Sequence, residues 1–452
     1  MHWWGLLNMR SKGISYRYAG SVLALIGLLS GCATKKPPEA VLLPSIPHAD
    51  TAHHDAGNHE APPILWADAV FEPADCSGPY HYIEPVVQND GAMNHVRVIS
   101  DFGEFAAVGN EMARIRVTEV GAIATLREMK TREAYKRGVG QTVKDTALGP
   151  FRQARKILSN PLYAVAMVPG EIFKYLGIAS GALDLLRHGL SKDQWKEFIG
   201  YYDARADLAR QLGVNPYTTN PVLSQELDEV AWAFYSGAVP LDLAAEFLPG
   251  IPMTYHVGTG SATLGHAIDE IRPAGTRRKL RRMDVPSSTR KAYLENAVYT
   301  PRSRRALAGA LFAIKNADNM EAFFRLAVQA ATEDEAYACQ RLAELILAYH
   351  EQVERIARVD EVDGTIAAQT VAGGTVAFLY ADYLCWTPAL ARFSEGLPRR
   401  APGAEAHVSR DLWISGIVSE RARAELTKRG FTLQEDAFAH LAKMERTDAP
   451  TP

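Results

Sequence analysis

Residues 320–358 read MEAFFRLAVQAATEDEAYACQRLAELILAYHEQVERIAR, and they carry the clearest helical pattern in the chain. The apolar side chains of its second half recur every three or four residues, at Leu342, Leu345, Ile346, Tyr349, Val353 and Ile356. This spacing predicts one long helix of up to about 60 Å, unless the Thr332-Glu333 pair breaks it.

Upstream of this stretch, the chain repeats the residue pairs that begin helices. Asn160-Pro161, Asn220-Pro221 and Thr300-Pro301 each place a capping side chain before a proline whose fixed φ suits the first helical position. Gly213 suits the left-handed position just after a helix. These signals predict an array of helices.

Another helix is predicted from Glu111 onward, preceded by a short hairpin. The hairpin pairs residues 95–99 with residues 104–108 around Asp101-Phe102-Gly103. The helix has one apolar face, formed by Met112, Ile115, Ala122, Ile123, Leu126 and Met129. Its charged residues are predicted to lie outside that face, at Arg114, Arg116, Arg127 and Glu128.

The last ninety residues have a different pattern. Residues 365–372 and 375–380 are rich in β-formers and flank Gly373-Gly374, a hairpin signal. Thr387-Pro388 and Ser419 then each predict the start of a helix. The predicted fold is α+β but mainly α: a helical array with a short N-terminal hairpin and a small C-terminal α/β unit. The predicted segments are 64–285 (mainly helical), 286–360 (long helix), 361–446 (α/β unit) and 447–452 (tail).

Composition places the chain among soluble globular proteins. It has 452 residues, with 49 Lys and Arg against 52 Asp and Glu, 47% hydrophobic residues and 22% charged residues. These values exclude a disordered chain, a collagen-like chain and a multispanning membrane protein.

The first 31 residues form a signal-peptide pattern. The basic residues Arg10, Lys12 and Arg17 precede an apolar run at 22–29, which is far shorter than the roughly 20 residues that span a bilayer. Leu29-Ser30-Gly31-Cys32 follows and resembles the lipobox of bacterial lipoproteins. Either Met1 or Met9 serves as the start of this pattern.

The lipobox resemblance implies that the peptide is cut before Cys32, whose sulfur receives a diacylglycerol and whose amino group is acylated. Ala33, the next residue, implies sorting to the outer membrane, with the body facing the periplasm. Loss of residues 1–31 removes three basic residues and leaves a net charge of −6. Residues 32–63 are predicted to be a disordered tether with an end-to-end distance of about 30 Å.

No complete catalytic or metal-binding motif appears in the sequence. No serine has the two flanking glycines of a hydrolase elbow, and the His350-Glu351 pair lacks the second histidine of a helical zinc motif. No metal and no cofactor is therefore predicted. Weak catalytic candidates are His256, His266 and Asp269, because they frame a glycine-rich, uncharged run at 247–268.

A basic segment follows that run directly. It contains the candidate anion-binding residues Arg277, Arg278, Lys279, Arg281 and Arg282. Guanidinium groups suit anionic headgroups or glycans, and a solvated helix end is the alternative interpretation.

Three functions remain open from the sequence. The leading one is a binding or scaffold lipoprotein of the cell envelope, whose partners are the membrane, through its acyl chains, and an envelope protein or lipid. The alternatives are a periplasmic hydrolase or transferase with an active site outside known motifs, and a membrane-active protein that inserts apolar helices. The net acidic mature chain gives no sign of nucleic-acid binding.

Overall fold

A computed structural model describes residues 58–145, 204–235, 239, 246–247, 274–397 and 410–448. The first elements in this part form a curled antiparallel sheet of six strands. In chain order they are β1 (Ile64–Trp66), α1 (Ala67–Val70), α2 (Pro73–Cys76), β2 (Ser77–Gly78), β3 (His81–Ile83), β4 (Val86–Asn89), β5 (Asn94–Ser100) and β6 (Gly103–Val108).

In this sheet β3 and β4 lie one after the other along one edge of β5. Ile83 pairs with Val98 and Gln88 pairs with His95, while β6 takes the other edge of β5 along its whole length. Pro85 lies in the break between β3 and β4, where a missing N–H ends the ladder. The inner face of the curl is apolar and buried, with Ile83, Val87, Val96, Val98 and Ala107.

A helical layer packs on the inner face of this sheet. It consists of α3 (Asn110–Thr131), α4 (Glu133–Asp145), a helical segment at 204–211 and α5 (Pro221–Tyr235). Met112, Ala113 and Val120 of α3 contact the sheet core. Further along α3, Ile123 and Leu126 pack with Leu223 and Leu227 of α5.

Five helices follow, around a core of aromatic rings. They are α6 (Ala274–Arg282), α7 (Ser287–Glu295), α8 (Pro301–Ala313), α9 (Glu321–Val328) and α10 (Glu333–Gln352). The ring of Tyr293 lies edge-to-face with Tyr299 at 5.0 Å and with Phe324 at 5.1 Å, a favoured aromatic geometry. Both tyrosine hydroxyls donate to backbone carbonyls, so the buried polar atoms are satisfied.

The C-terminal part contains a mixed five-stranded sheet covered on both faces and a separate pair of short parallel strands. Its elements are β7 (Ile356–Val362), β8 (Thr365–Thr370), β9 (Thr375–Leu379), β10 (Tyr383–Leu384), α11 (Pro388–Gly396), β11 (Arg410–Ile414), β12 (Ile417–Val418), α12 (Glu420–Lys428), β13 (Thr432–Gln434) and α13 (Ala437–Asp448). The strand order is β7-β8-β9-β11-β13, with antiparallel pairing up to β9 and parallel pairing beyond it.

Alternate residues of this sheet face different helices. Phe378 and Trp413 meet Tyr349 of α10 on one face, with ring centroids 5.3 and 5.1 Å apart. Ala377 and Leu412, their sequence neighbours, belong to a second core on the opposite face with Phe393 and Leu426 of α11 and α12. This period of two is the normal strand alternation.

The expected mainly helical array is therefore wrong. About 53% of the described part is helical and 20% is strand, so the fold is mixed α/β. Strands that are buried on both faces show no alternation of polar and apolar residues in the sequence. Strands of two to four residues are too short for any periodicity to be recognised. The N-terminal hairpin was correctly placed but is only one part of a larger sheet.

The helix predicted for residues 320–358 is broken at Thr332-Glu333, the alternative that the sequence left open, and its predicted end at residue 358 is wrong because the helix ends at Gln352. Thr332 accepts a hydrogen bond from the Glu335 N–H, and Glu335 in turn accepts from the Thr332 N–H, which forms a capping box that begins α10. Beyond Gln352 the chain turns and enters β7, whose Ile356 and Val359 belong to the same apolar core as α10. The helical period thus continued by coincidence into a strand.

Several local predictions are confirmed. The side chains of Asn220, Thr300, Thr387 and Ser419 cap their helices, and Gly213 has a φ of 69°. Asn160-Pro161 lies outside the described residues.

An exposed aromatic face and three polar clusters

All of the predicted catalytic and lipidation residues lie outside the part that the structure describes. This applies to Cys32, His256, His266 and Asp269, and to all of the uncharged run except Phe247. The five basic candidates are described and form most of α6. The structure places four of them, Arg277, Arg278, Arg281 and Arg282, on the exposed side of that helix.

A set of apolar residues missed by the sequence analysis lies on the outer face of the N-terminal sheet. Ile64, Trp66, Tyr82 and Val86 are 72%, 64%, 50% and 41% exposed. We call these four residues the aromatic face. Large apolar residues grouped on a surface mark interaction sites more often than scattered ones do.

Strand register places the four residues on one side of the sheet. Trp66 is the direct partner of Val86, and Ile64 is the partner of Gln88 two residues further along β4. Direct cross-strand partners point to the same side, as do residues two apart. Tyr82 pairs with Ile99 of β5, and Gln88 pairs with His95 of the same strand. Residues 95 and 99 are four apart and point to one side of β5, so Tyr82 lies on the same side as Gln88.

Charged groups border the aromatic face along β5. Arg97 bridges Glu84 at 3.3 Å and Glu104 at 2.6 Å, and all three side chains are largely exposed. His95 Nε2 lies 3.0 Å from Asp90 Oδ2, and this hydrogen bond raises the pKa of His95. Asp90 itself is held by the N–H groups of Ala92 and Met93.

Glu111, in the first turn of α3, is the centre of the first polar cluster. It accepts hydrogen bonds from the hydroxyls of Tyr337 and Tyr380 at 3.1 and 2.9 Å. Arg341 adds two more, from Nε at 2.8 Å and from Nη2 at 3.0 Å. The pKa of Glu111 is lowered because these hydrogen bonds and the Arg341 charge outweigh its burial. Glu111 thus ties α3 to α10 and to the end of β9.

Arg116, on the next turns of α3, is the centre of the second cluster. Its guanidinium lies 2.9 Å from Glu119, 2.9 Å from Glu333 and 3.7 Å from Asp334. Arg116 was predicted to lie outside the apolar face of α3, and the structure shows that it is nevertheless buried, at 8% exposed. The N-terminal end of α10 and the connector before α5 cover it.

Asp382, just after β9, forms the third cluster with two backbone amides. Its carboxylate accepts from the Asn94 N–H at 3.0 Å and from the Asn110 N–H at 3.1 Å. Burial raises the pKa of Asp382 to about 6, and the nearby carboxylates of Glu111 and Asp90 act in the same direction. Asp382 links the C-terminal sheet to the first turn of α3.

Metal binding and membrane spanning find no support in the described part of the chain. No group of three or more His, Cys, Asp or Glu residues there is arranged to hold a metal ion. None of its helices is long and apolar enough to cross a membrane. Cys76, Cys339 and Cys385 are all free thiols.

Comparison with known proteins gives no relative for this chain. No family model, no curated protein and no solved structure matches it.

Proposed function

We propose that this protein is a lipid-anchored binding protein of the cell envelope that captures a protein partner on its aromatic face. Its predicted anchor is Cys32 in the outer membrane, with the body in the periplasm. The observation that supports the binding site is the alignment of Ile64, Trp66, Tyr82 and Val86 on one exposed side of the N-terminal sheet.

The composition of this face suits a protein partner. Trp, Tyr and Arg are the residues that most often dominate the binding energy of interfaces, and Trp66, Tyr82 and Arg97 supply all three. Glu84 and Glu104 add a polar rim beside the apolar centre, which is the usual arrangement of a stable interface.

The shape of the sheet also favours a protein over a small molecule. The concave side of the curl is filled by α3 and the apolar core, so the aromatic face lies on the convex side. Small-molecule sites are concave and enclose most of the ligand. A convex surface instead fits against a second macromolecular surface.

Photocrosslinking in the native cell tests this site. A photoreactive phenylalanine analogue in place of Trp66 is expected to give one discrete protein adduct. The same analogue in place of Val371, which is 69% exposed in the turn between β8 and β9, is expected to give none. Equal adducts at both positions, or no adduct at position 66, would contradict the proposal.

Tyr82→Ala is expected to weaken this binding about 30-fold, because hot-spot residues contribute about 2 kcal/mol or more. In the protein with the analogue at position 66, the adduct should fall in yield while the melting temperature stays unchanged, since surface substitutions shift stability little. Val371→Ala is the matched control and should leave the adduct as it was. An unaffected adduct in Tyr82→Ala would remove Tyr82 from the site.

The anchor has its own test, independent of the binding face. The mature protein is expected to begin at Cys32 and to carry acyl chains, which intact mass measurement detects. Cys32→Ser should release the protein from the membrane fraction, because two or three buried acyl chains, at about 0.8 kcal/mol per CH₂, supply the attachment. An unmodified Cys32 in the native protein would overturn the anchor.

A further inference from the structure

Positive charge is concentrated in one part of the chain. Residues 274–315 contain 11 Lys and Arg but only 2 Asp and Glu, whereas the whole chain has 49 against 52. This segment contains α6, α7 and α8. A local excess of this size, in a chain with a net negative charge, creates an attractive field for anions on one side of the molecule.

The arginines of α6 are arranged on its outer side. At about 100° per residue, Arg277, Arg278, Arg281 and Arg282 span an arc of about 140°. Thr276 and Leu280, which are buried, lie on the opposite side of the helix. The helix therefore has one side fixed in the core and the other covered by guanidinium groups.

These four arginines differ from Arg290 and Arg304 of the same segment. Arg304 is buried and donates to the carbonyls of Asn296 and Tyr299, and Arg290 donates to the carbonyl of Val285. Within the described residues, none of the four α6 arginines makes an ion pair with an acidic side chain. Their charges are therefore not neutralised inside this part of the protein.

The basic surface continues from α6 onto α8. Lys279 Nζ lies 5.9 Å above the ring of Phe312 and close to Gly309, so Lys279 extends across α8. Arg305 is exposed one helical turn before Gly309, on the same side of α8. We call Arg277, Arg278, Lys279, Arg281, Arg282 and Arg305 the basic face.

We propose that the basic face docks onto the anionic headgroups of a lipid bilayer and so orients the body against the membrane. The guanidinium groups project from a convex helix over a broad arc, which suits a layer of phosphates better than one enclosed anion. Each Lys or Arg close to an anionic surface strengthens binding about fivefold.

Docking of the basic face would complement the predicted tether. A tether of the predicted length, about 30 Å, would hold the body near the bilayer and leave it free to rotate. A second, electrostatic contact limits that rotation. The orientation of the body at the cell membrane therefore rests on the proposed anchor. Binding of the unacylated protein to vesicles does not.

The test measures binding of the full chain, made unacylated by Cys32→Ser, to vesicles with and without phosphatidylglycerol. Arg278→Gln with Arg282→Gln is expected to weaken binding to the anionic vesicles about 25-fold, at about fivefold per residue. The matched control is Arg392→Gln with Lys428→Gln, which removes the same charge from exposed positions of α11 and α12. The control should bind within about twofold of the parent chain. Any contribution of the N-terminal segment is the same in all three proteins.

Salt provides a second readout. At 0.5 M NaCl the screening length falls to about 4 Å, and the difference between the arginine variant and its parent should disappear. An arginine variant that binds like its parent overturns the proposal, and so does an equal loss in the control. Arginine-dependent binding to soluble heparin, but not to vesicles, overturns it in favour of an anionic polysaccharide.

Discussion

Arg116→Met is expected to lower the free energy of unfolding by about 3–5 kcal/mol, because it leaves buried carboxylates without their cation. Glu119 and Asp334 are 2% and 5% exposed, and the guanidinium bonds both Glu119 and Glu333 at 2.9 Å. Methionine fills a similar volume, so the loss reports mainly the charge and the hydrogen bonds.

The surroundings of Arg116 explain why the cost is high. Glu119 also accepts from the Thr218 hydroxyl and, at 3.1 Å, from the Asn220 side chain. Asn220 in turn caps α5. These neutral donors remain in the variant, but they do not balance the charge. Burial already raises the pKa of Asp334, and loss of the arginine removes the main opposing effect.

Urea denaturation followed by circular dichroism measures this effect. Arg114→Met is the matched control on the same helix, because Arg114 pairs with Asp75 at 3.0 Å but is 44% exposed. An exposed ion pair contributes about 0–1 kcal/mol, so the control should remain close to the parent protein. Equal stability losses in the two variants would show that the buried cluster has no special role.

Arg116 also shows what the sequence does and does not predict. The apolar face of α3 was identified correctly at Met112, Ile123 and Leu126, because it follows a local period. Charged residues on the opposite side of a helix are predicted from the sequence to face solvent. The connector at 218–220 and the first turn of α10, which cover Arg116, come about 100 and 215 residues later. No local pattern contains that information.

The same reasoning applies to the sheets and to the aromatic face. Caps such as Thr300 and Ser419 and the turn at Asp101-Phe102-Gly103 were predictable, because their signals span only a few residues. Both sides of β3 and β4 carry apolar residues, so the alternation of Val86 and Val87 does not say which one faces the core. That choice depends on which side α3 covers. The basic residues of α6 were predicted as a group, because their clustering is visible in the sequence alone.

Asp382 is expected to make the protein less stable as the pH rises from 4 to 7. Burial raises the pKa of Asp382 to about 6 in the folded protein, whereas an unfolded aspartate has a pKa near 4. Between these values the unfolded state releases a proton that the folded state retains. The stability contributed by the protonated form is complete below about pH 4 and is lost as the pH rises through 6. A difference of about two pKa units corresponds to about 3 kcal/mol.

The backbone contacts of Asp382 keep its carboxylate from turning toward solvent. Its own N–H donates to the Ala92 carbonyl at 2.9 Å, and its carbonyl accepts from the Ile417 N–H at 3.2 Å. A Cβ on Gly416 would lie 2.2 Å from that carbonyl oxygen, so the chain passes tightly against it. The carboxylate is thus held against the Asn94 and Asn110 amides, and its acidic neighbours Glu111 and Asp90 disfavour a second negative charge.

Asp382→Asn isolates this effect, because the amide keeps an acceptor oxygen but has no charge at any pH. At pH 4 the variant and the parent protein should differ little in their free energy of unfolding, since both side chains are neutral. At pH 7 the variant should gain about 3 kcal/mol relative to the parent, as measured by urea denaturation at both pH values. Asp68, which is exposed on α1, provides the control, and Asp68→Asn should leave the pH dependence unchanged. If Asp382→Asn follows the parent protein with the same slope between pH 4 and 7, Asp382 is not the group that titrates.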